Sequence, residues 1–343
     1  MRKINTIIIF TLIFTVVVLP LAALPKAEKT SAVPETSALS NNPPTKEIIS
    51  EISSAEKTSS ETQTAEDTAE SVRVFDPDSG KVEKMNMRDY IYGVVCGECP
   101  MLYHEEAIKA QIVAAYTYTL YCINANKSAD YDLTTKPETS QAYITREQAF
   151  KNWGSNAKKY DKRLKNLMDT VWGEYLSYKG EPILAAYHAI SSGKTESAEA
   201  VWEKNIPYLQ TADSEGDKLA EKYETTAEFT SDKAAEILQP LGFSVTELKK
   251  SKPKTTDCGT VKTLTYKDKT VTGEQIRAAF SLRSANFKIK VTSKKVTFTV
   301  YGYGHGLGMS QNGANFLAKM GCGYKEILSH YYKQTKLESK NSE

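Results

Sequence analysis

Apolar and polar positions divide the chain into three stretches. From residue 4 to residue 25 only Asn5 and three threonines break an apolar run. It is long enough to cross a bilayer, and Arg2 and Lys3 before it place the N-terminus inside. A retained anchor over residues 1–25 is the favoured reading. A cleaved signal peptide with Leu21-Ala22-Ala23 competes, but the run exceeds a usual signal core. Either way the chain is expected to be exported. Residues 26–70 are Ser, Thr, Glu, Ala, Pro and Lys with few large apolar side chains. They cannot bury enough surface to offset ordering entropy, which predicts a disordered tether. Periodic patterning begins near Ser71 and predicts one domain over residues 71–343.

Residues 72–75 and 81–85 read as two strands flanking the turn Asp76-Pro77-Asp78-Ser79-Gly80. Residues 91–96 read as a strand that ends in a turn at Glu98, ahead of Pro100. His104-Glu105-Glu106 opens a helix with its acids where the dipole favours them. There Ile108, Ile112, Ala115, Thr119 and Ile123 recur at helical spacing, packing one face on the core. Gln111, Ala114 and Tyr118 lie on an adjacent stripe that could line a cleft. A second helix covers residues 157–170, with Leu164, Leu167 and Val171 in register. Strands at 175–178 and 183–190 form a hairpin, and the second runs into Ser191-Ser192-Gly193-Lys194-Thr195-Glu196, a small polar turn of the kind that binds ligands. Further on come a helix at 233–238 capped by Ser231 or Asp232, a strand at 261–266, a helix at 274–280 and a hairpin of 287–291 with 296–301. The last strand delivers Gly302, Gly304, Gly306 and Gly308 on alternate positions around His305, which brings backbone close to something. Helices at 314–320 and 324–332 finish the chain. The fold class is α+β, a mixed domain with a cleft.

Chemistry enters at Glu98. Val94, Val95, Met101 and Leu102 offer it little solvation, which would push the carboxyl toward its protonated form and suit a general acid near neutral pH. The alternative is a solvated loop glutamate. Cys96 and Cys99 flank it in a C-x-x-C. A redox pair would open a helix within a βαβ pattern, and zinc would need two more ligands where only His104 lies near. Buried thiols or a local disulfide fit better, and the five cysteines form no obvious framework. A net charge of +2 without a basic block argues against nucleic acid or anionic lipid as partner. Twenty tyrosines against ten phenylalanines suit a sugar or peptide surface, or half-exposed strands.

Standard motifs fail. Gly308-Met309-Ser310-Gln311-Asn312 misses G-x-S-x-G, His104 to Ile108 lacks the second histidine of H-E-x-x-H, and the glycine run has no G-x-G-x-x-G register. What remains is one acid, two small turns at strand ends, and His188 and His305 on those turns. Hydrolytic glycosidases need two carboxylates. One suffices when the acceptor is a hydroxyl of the same sugar, because it can protonate the glycosidic oxygen and then deprotonate the 6-hydroxyl.

The stretches YIYGVVCGECP, EEAIKAQIVAAYTYTL, TSQAY, AAYHAISSGKTESAEAVW, IPYLQTAD and GYGHGLGMSQNGANFLAKMGCGYKEILSHYY resemble, in this order, the stage II sporulation protein D (SpoIID/LytB) family. The resemblance covers residues 71–332. It implies a lytic transglycosylase that cuts peptidoglycan strands stripped of stem peptides, acts in forespore engulfment, and needs no cofactor. Implied partners are the glycan strand, an amidase (SpoIIP-like) and a membrane protein (SpoIIM-like). The implied catalytic residue is Glu98. Implied strand contacts are Gln111, Ser191, Ser192, Lys194, Glu196, His305, Ser310 and Gln311, and His188 joins them from its place on the turn. The chain departs from the pattern in three ways. Tyr116 stands where relatives often have arginine, Cys96 and Cys99 replace small residues or Met, and no Cys or His lies in 130–140, so no zinc is expected there. The alternatives are a non-catalytic wall-binding enhancer of an amidase and a metal- or thiol-dependent enzyme on Cys96, Cys99 and His104.

Overall fold

The computed structural model describes residues 70–136 and 139–340. The expected anchor and all but the end of the tether lie outside them. Among the described residues no helix is long and apolar enough to cross a membrane. The chain divides into two compact units, one formed by residues up to 98 with 128–166, the other by 99–127 with residues from 167 onward.

In the first unit β1 (Ser71–Asp76) and β2 (Lys81–Asn86) form the expected antiparallel hairpin, closed by Gly80 at φ +68°. The expected strand at 91–96 is instead part of the helix α1 (Met87–Glu98). Asn86 starts it, its Oδ1 accepting the amide of Arg88 at 2.9 Å. The valines that read as a strand are consistent with this helix because Tyr90 through Val95 are all buried, so burial overrides β-propensity. Gly93 and Gly97 supply the second reason. A Cβ at Gly93 would overlap Tyr143, and one at Gly97 would press on the Ala142 carbonyl, so the helix accepts residues 141–144 directly against its backbone. A helix α2 (Glu105–Ala125) follows in the other unit. The first unit then adds β3 (Leu133–Thr134), parallel to β1, where Arg73 grips Asp132 at 2.6 Å. Next comes α3 (Arg146–Trp153), with a capping box of Thr145 and Gln148. The helix α4 (Ala157–Val171) matches the expected spacing, with Leu164, Leu167 and Val171 buried.

The second unit is built around α2. The sequence suggests one core-facing stripe, yet Val113 through Tyr116 are buried in succession, so packing surrounds the helix. Thr117 accepts the Leu176 amide at 3.0 Å, tying α2 to β4 (Glu174–Tyr178). That strand pairs with β5 (Glu181–Pro182) and, at the far end of the chain, with a strand at Lys336–Ser339. Of the expected strand at 183–190 only β6 (Tyr187–His188) remains, and the hairpin partner of β4 is β5, which lies in the stretch expected as its turn. Between β5 and β6 the backbone folds on itself, Ala185 N to Ile183 O at 2.9 Å. The Ala186 carbonyl is taken by the Tyr332 hydroxyl (2.8 Å) and the Met309 amide (3.1 Å). A short helix α5 (Ala198–Trp202) follows.

Residues 224–301 form a subdivision with its own core. Its elements are β7 (Glu224–Thr230), α6 (Ser231–Leu238), α7 (Val245–Lys250), β8 (Lys252–Thr255), β9 (Val261–Tyr266), β10 (Lys269–Thr272), α8 (Gly273–Ala279), β11 (Phe287–Val291) and β12 (Lys295–Tyr301). They make two three-stranded sheets, β11-β12-β7 and β10-β9-β8. Phe229, Phe280, Phe287 and Phe298 meet between them, with ring centroids as close as 4.8 Å. The N-cap of α6 is Thr230, one residue before the expected pair. The chain returns through β13 (Met309–Ser310), parallel to β6, then α9 (Gln311–Lys319), α10 (Tyr324–Tyr331) and β14 (Lys336–Ser339).

Candidate functional site

Glu98 is the last residue of α1, half-buried, in the first unit. It stands at a helix C-terminus rather than at a strand end. Its Oε1 accepts the Ala142 amide at 2.7 Å. That contact depends on the two helix glycines, which let residues 141–144 lie close enough for a backbone amide to reach the side chain. Earlier on the same helix, the Tyr92 hydroxyl donates to Asp161 (2.9 Å), which also takes a two-pronged hydrogen bond from Arg146 (2.9 and 3.0 Å). Arg146 is the main reason its carboxyl is lowered to about 2. Burial pushes the neighbouring Cys96 thiol up to about 12, so it stays protonated and a poor nucleophile. Among the described residues none of the five cysteines is joined in a disulfide.

In the second unit the Ser191 turn and the glycine loop come together. Ile190 bridges Tyr303, and Glu196 bridges Leu307. The four alternate glycines have φ from +69° to +112°, and a Cβ would collide with Ile190 O at Gly302 or with His188 at Gly304. Ser191, Ser192, Lys194, Glu196 and His305 line one small cavity of about 20 Å³ with Asn286 and Tyr301, room for about one water. Gln111, His188, Ser310 and Gln311 are not among its lining residues. Ser192 Oγ donates to Cys258 O (3.0 Å), Glu196 accepts Thr256 Oγ1 (2.7 Å), and the exposed Lys194 pairs with Asp213 (3.3 Å).

A residue that sequence reasoning passed over holds this region together. Asp217 is 0% exposed. Its Oδ2 accepts Ser191 N (2.9 Å) and Ser214 Oγ (2.9 Å), and its Oδ1 accepts Ser310 Oγ (2.8 Å) and Asn312 Nδ2 (3.2 Å). Ser310 also caps α9, accepting the Gly313 amide at 3.1 Å. The proton directions follow: each serine hydroxyl gives its hydrogen to Asp217 and accepts another, Ser214 from Tyr331 Oη at 2.8 Å. One carboxylate thus fixes the Ser191 turn, the start of α9 and, through Ser214, α10. Its sequence context, Asp213-Ser214-Glu215-Gly216-Asp217, reads as an ordinary polar loop, and no local pattern distinguishes it.

His188 and His305 stand with ring centroids 5.7 Å apart. His188 Nδ1 meets Leu307 O at 3.0 Å, and His305 Nδ1 accepts the Leu307 amide at 3.0 Å. Burial holds both imidazoles below their ordinary value, outweighing for His188 the nearby Asp217 charge. Among the described residues, His188 Nε2 and both polar atoms of the Gln111 amide are buried without a hydrogen-bond partner. Among the described residues no group of three or more His, Cys, Asp or Glu is arranged to hold a metal ion.

Residues 76–178 match the family described as SpoIID, stage II sporulation protein. Over 298 residues, 82% of this chain and 85% of the other, the sequence is 35% identical to stage II sporulation protein D of Bacillus subtilis (strain 168). The chain belongs to the stage II sporulation protein D family. The stage II sporulation protein D of Bacillus amyloliquefaciens is 33% identical over 343 residues, 98% of this chain and 94% of that protein. A protein named amidase enhancer from Bacillus subtilis (strain 168) is 27% identical over 300 residues, 72% of this chain and 40% of its own length. Within this SpoIID family member, Glu98 and its Ala142 contact fall inside the matched residues, whereas Asp217 and the glycine loop lie beyond them.

Proposed function

We propose that this SpoIID family protein is a peptidoglycan lytic transglycosylase with Glu98 as its single catalytic residue. The observation that carries the reading is the placement of that carboxyl group, half-buried at the end of a helix with the Ala142 amide donating to it. A positioned carboxylic acid can protonate the oxygen between N-acetylmuramic acid and N-acetylglucosamine as the C1–O bond breaks. The resulting carboxylate then takes the proton of the muramic acid 6-hydroxyl while its oxygen bonds to C1. No water is consumed and the acid is regenerated, which is why one carboxylate suffices. In this reading peptide-stripped strands are the substrate, the Ser191 and His305 loops with Gln111 contact the strand, and residues 1–25 anchor the protein at the outer face of the engulfing membrane beside an amidase.

The similarity to a protein named amidase enhancer favours a second reading, a wall-binding module without chemistry of its own. One experiment separates them. Peptide-stripped glycan strands are incubated with the full chain and the products weighed. Transglycosylation yields 1,6-anhydro ends, which Glu98→Gln abolishes. Reducing ends would indicate a hydrolase, and no product at all would leave the enhancer reading. Full activity of Glu98→Ala would overturn the assignment of the residue.

A further inference from the structure

Residues 224–301 carry fourteen Lys and Arg against eight Asp and Glu, a net +6 that leaves the remainder of the chain at −4. The folded arrangement concentrates part of that excess. The helix α7 ends in Lys249 and Lys250 and leads into β8, an edge strand containing Lys252 and Lys254. The same helix packs against β11, the edge strand of the other sheet, whose outward positions are Lys288 and Lys290. All six lysines are exposed, and among the described residues none is paired with a carboxylate. The one acid on these three elements, Glu247, is taken by Lys269 at 2.9 Å. Lysine and proline on an edge strand keep other chains from pairing with it, which accounts for Lys252-Pro253-Lys254. That need does not extend to Lys249 and Lys250 on a helix, nor does it explain the lack of neutralising acids.

The group also adjoins the cavity. Lys288 Nζ lies 5.5 Å from the Tyr301 ring centroid, and Tyr301 lines the Ser191–His305 cavity together with Asn286, the residue just before β11. A group of uncompensated cations that begins beside that cavity complements a linear polymer with repeated anions. A glycan strand without stem peptides is such a polymer, because every muramic acid then exposes its lactyl carboxylate. We propose that the α7–β8–β11 edge is a binding surface for a peptide-free glycan strand through those carboxylates, an inference that rests on the substrate class proposed above.

The test uses the full chain carrying Glu98→Gln, so that strands stay intact, and fluorescently labelled peptide-free strands. Affinity is measured by anisotropy over a range of sodium chloride concentrations, with a parallel set of strands whose carboxylates have been converted to methylamides. Replacing Lys252, Lys254, Lys288 and Lys290 together by glutamine is expected to weaken binding about 10-fold at low salt and to flatten its salt dependence. Methylamide strands should bind weakly and equally to both proteins. Unchanged affinity and salt dependence in the four-lysine variant would overturn the proposal, as would equal binding of methylamide and carboxylated strands. Tighter binding of a polyol phosphate polymer would overturn the choice of occupant. The enzymatic reading is judged separately, by whether the unmodified chain produces anhydro ends.

Discussion

Asp217→Asn isolates the charge of the buried hub while keeping its shape, and the geometry indicates the cost. The wild-type carboxylate receives four donors, two at each oxygen. Asparagine has one carbonyl oxygen and one amide nitrogen, so whichever way it turns, two donors face another donor. On one side the Ser191 N–H is backbone and cannot rotate away. On the other, Asn312 Nδ2 also serves the Gly216 carbonyl at 3.3 Å, so turning that amide over loses a second bond. The serine hydroxyls offer limited relief, because Ser214 and Ser310 already accept from Tyr331 and Gly313. Hydrogen bonds to a charged group contribute about 1.5–3 kcal/mol each, so losing two in a fully buried site costs about 3–6 kcal/mol. Ser214→Ala and Ser310→Ala, which each remove one donor to Asp217 and the bond that the same hydroxyl accepts, should cost about 1–2 kcal/mol. Urea unfolding followed by tryptophan fluorescence reads this out, Trp172 and Trp202 lying in the same unit. A loss of this size lowers the midpoint by more than about 1 M at a typical slope. If Asp217→Asn unfolds within about 1 kcal/mol of the wild type, the hub is not holding the loops and the reasoning fails.

Other outcomes follow from the same geometry. His188 is buried with its basicity lowered, so below about pH 6.5 the unfolded chain binds a proton that the folded chain refuses. Stability should therefore fall as pH drops from about 7 to 5, by up to about 1.4 kcal/mol per pH unit for this residue, and thermal melts of His188→Asn should show a flatter slope. Gly308 has φ +69° and its Cβ would overlap the Ala186 carbonyl, whereas Gly180 at φ +85° faces open space. Gly180→Ala should thus cost about 1 kcal/mol from the backbone alone and Gly308→Ala several times that, measured side by side in urea. With its thiol pushed up to about 12, Cys96 should resist alkylation at pH 8, and Cys96→Ser should retain strand cleavage. Rapid labelling would show that the thiol is not buried as described.

The stretches that were legible are those whose physics is local. The hairpin at Asp76 to Gly80, the hydrophobic period of α4, the 287–301 hairpin and the helix opened by His104 need only nearby residues to specify them. The same holds for the alternate glycines around His305, since glycine at positive φ is an intrinsic preference that survives in any fold. Helix α1 is not legible locally, because its valines favour a strand when considered alone. Only the packing of residues 141–144 on Gly93 and Gly97, together with burial of Tyr90 through Val95, shows why a helix is stable there. The strand expected after Ile183 was interrupted for a similar reason, since Tyr332 and Met309 take the Ala186 carbonyl from far along the chain.

By itself, then, the sequence determined where most elements lie and which turns are small and polar, and it singled out Glu98 as the candidate carboxylate. Tertiary structure alone decided that Glu98 ends a helix under the Ala142 amide, that the Ser191 and His305 turns share one cavity, and that Asp217 ties them to α9 and α10. It also gathered six lysines from three elements along one edge of a chain that is nearly neutral overall. The physical reason is that periodicity and propensity are set by neighbours within a few residues, whereas a buried carboxylate's donors and a charged surface are assembled from residues that only folding brings together.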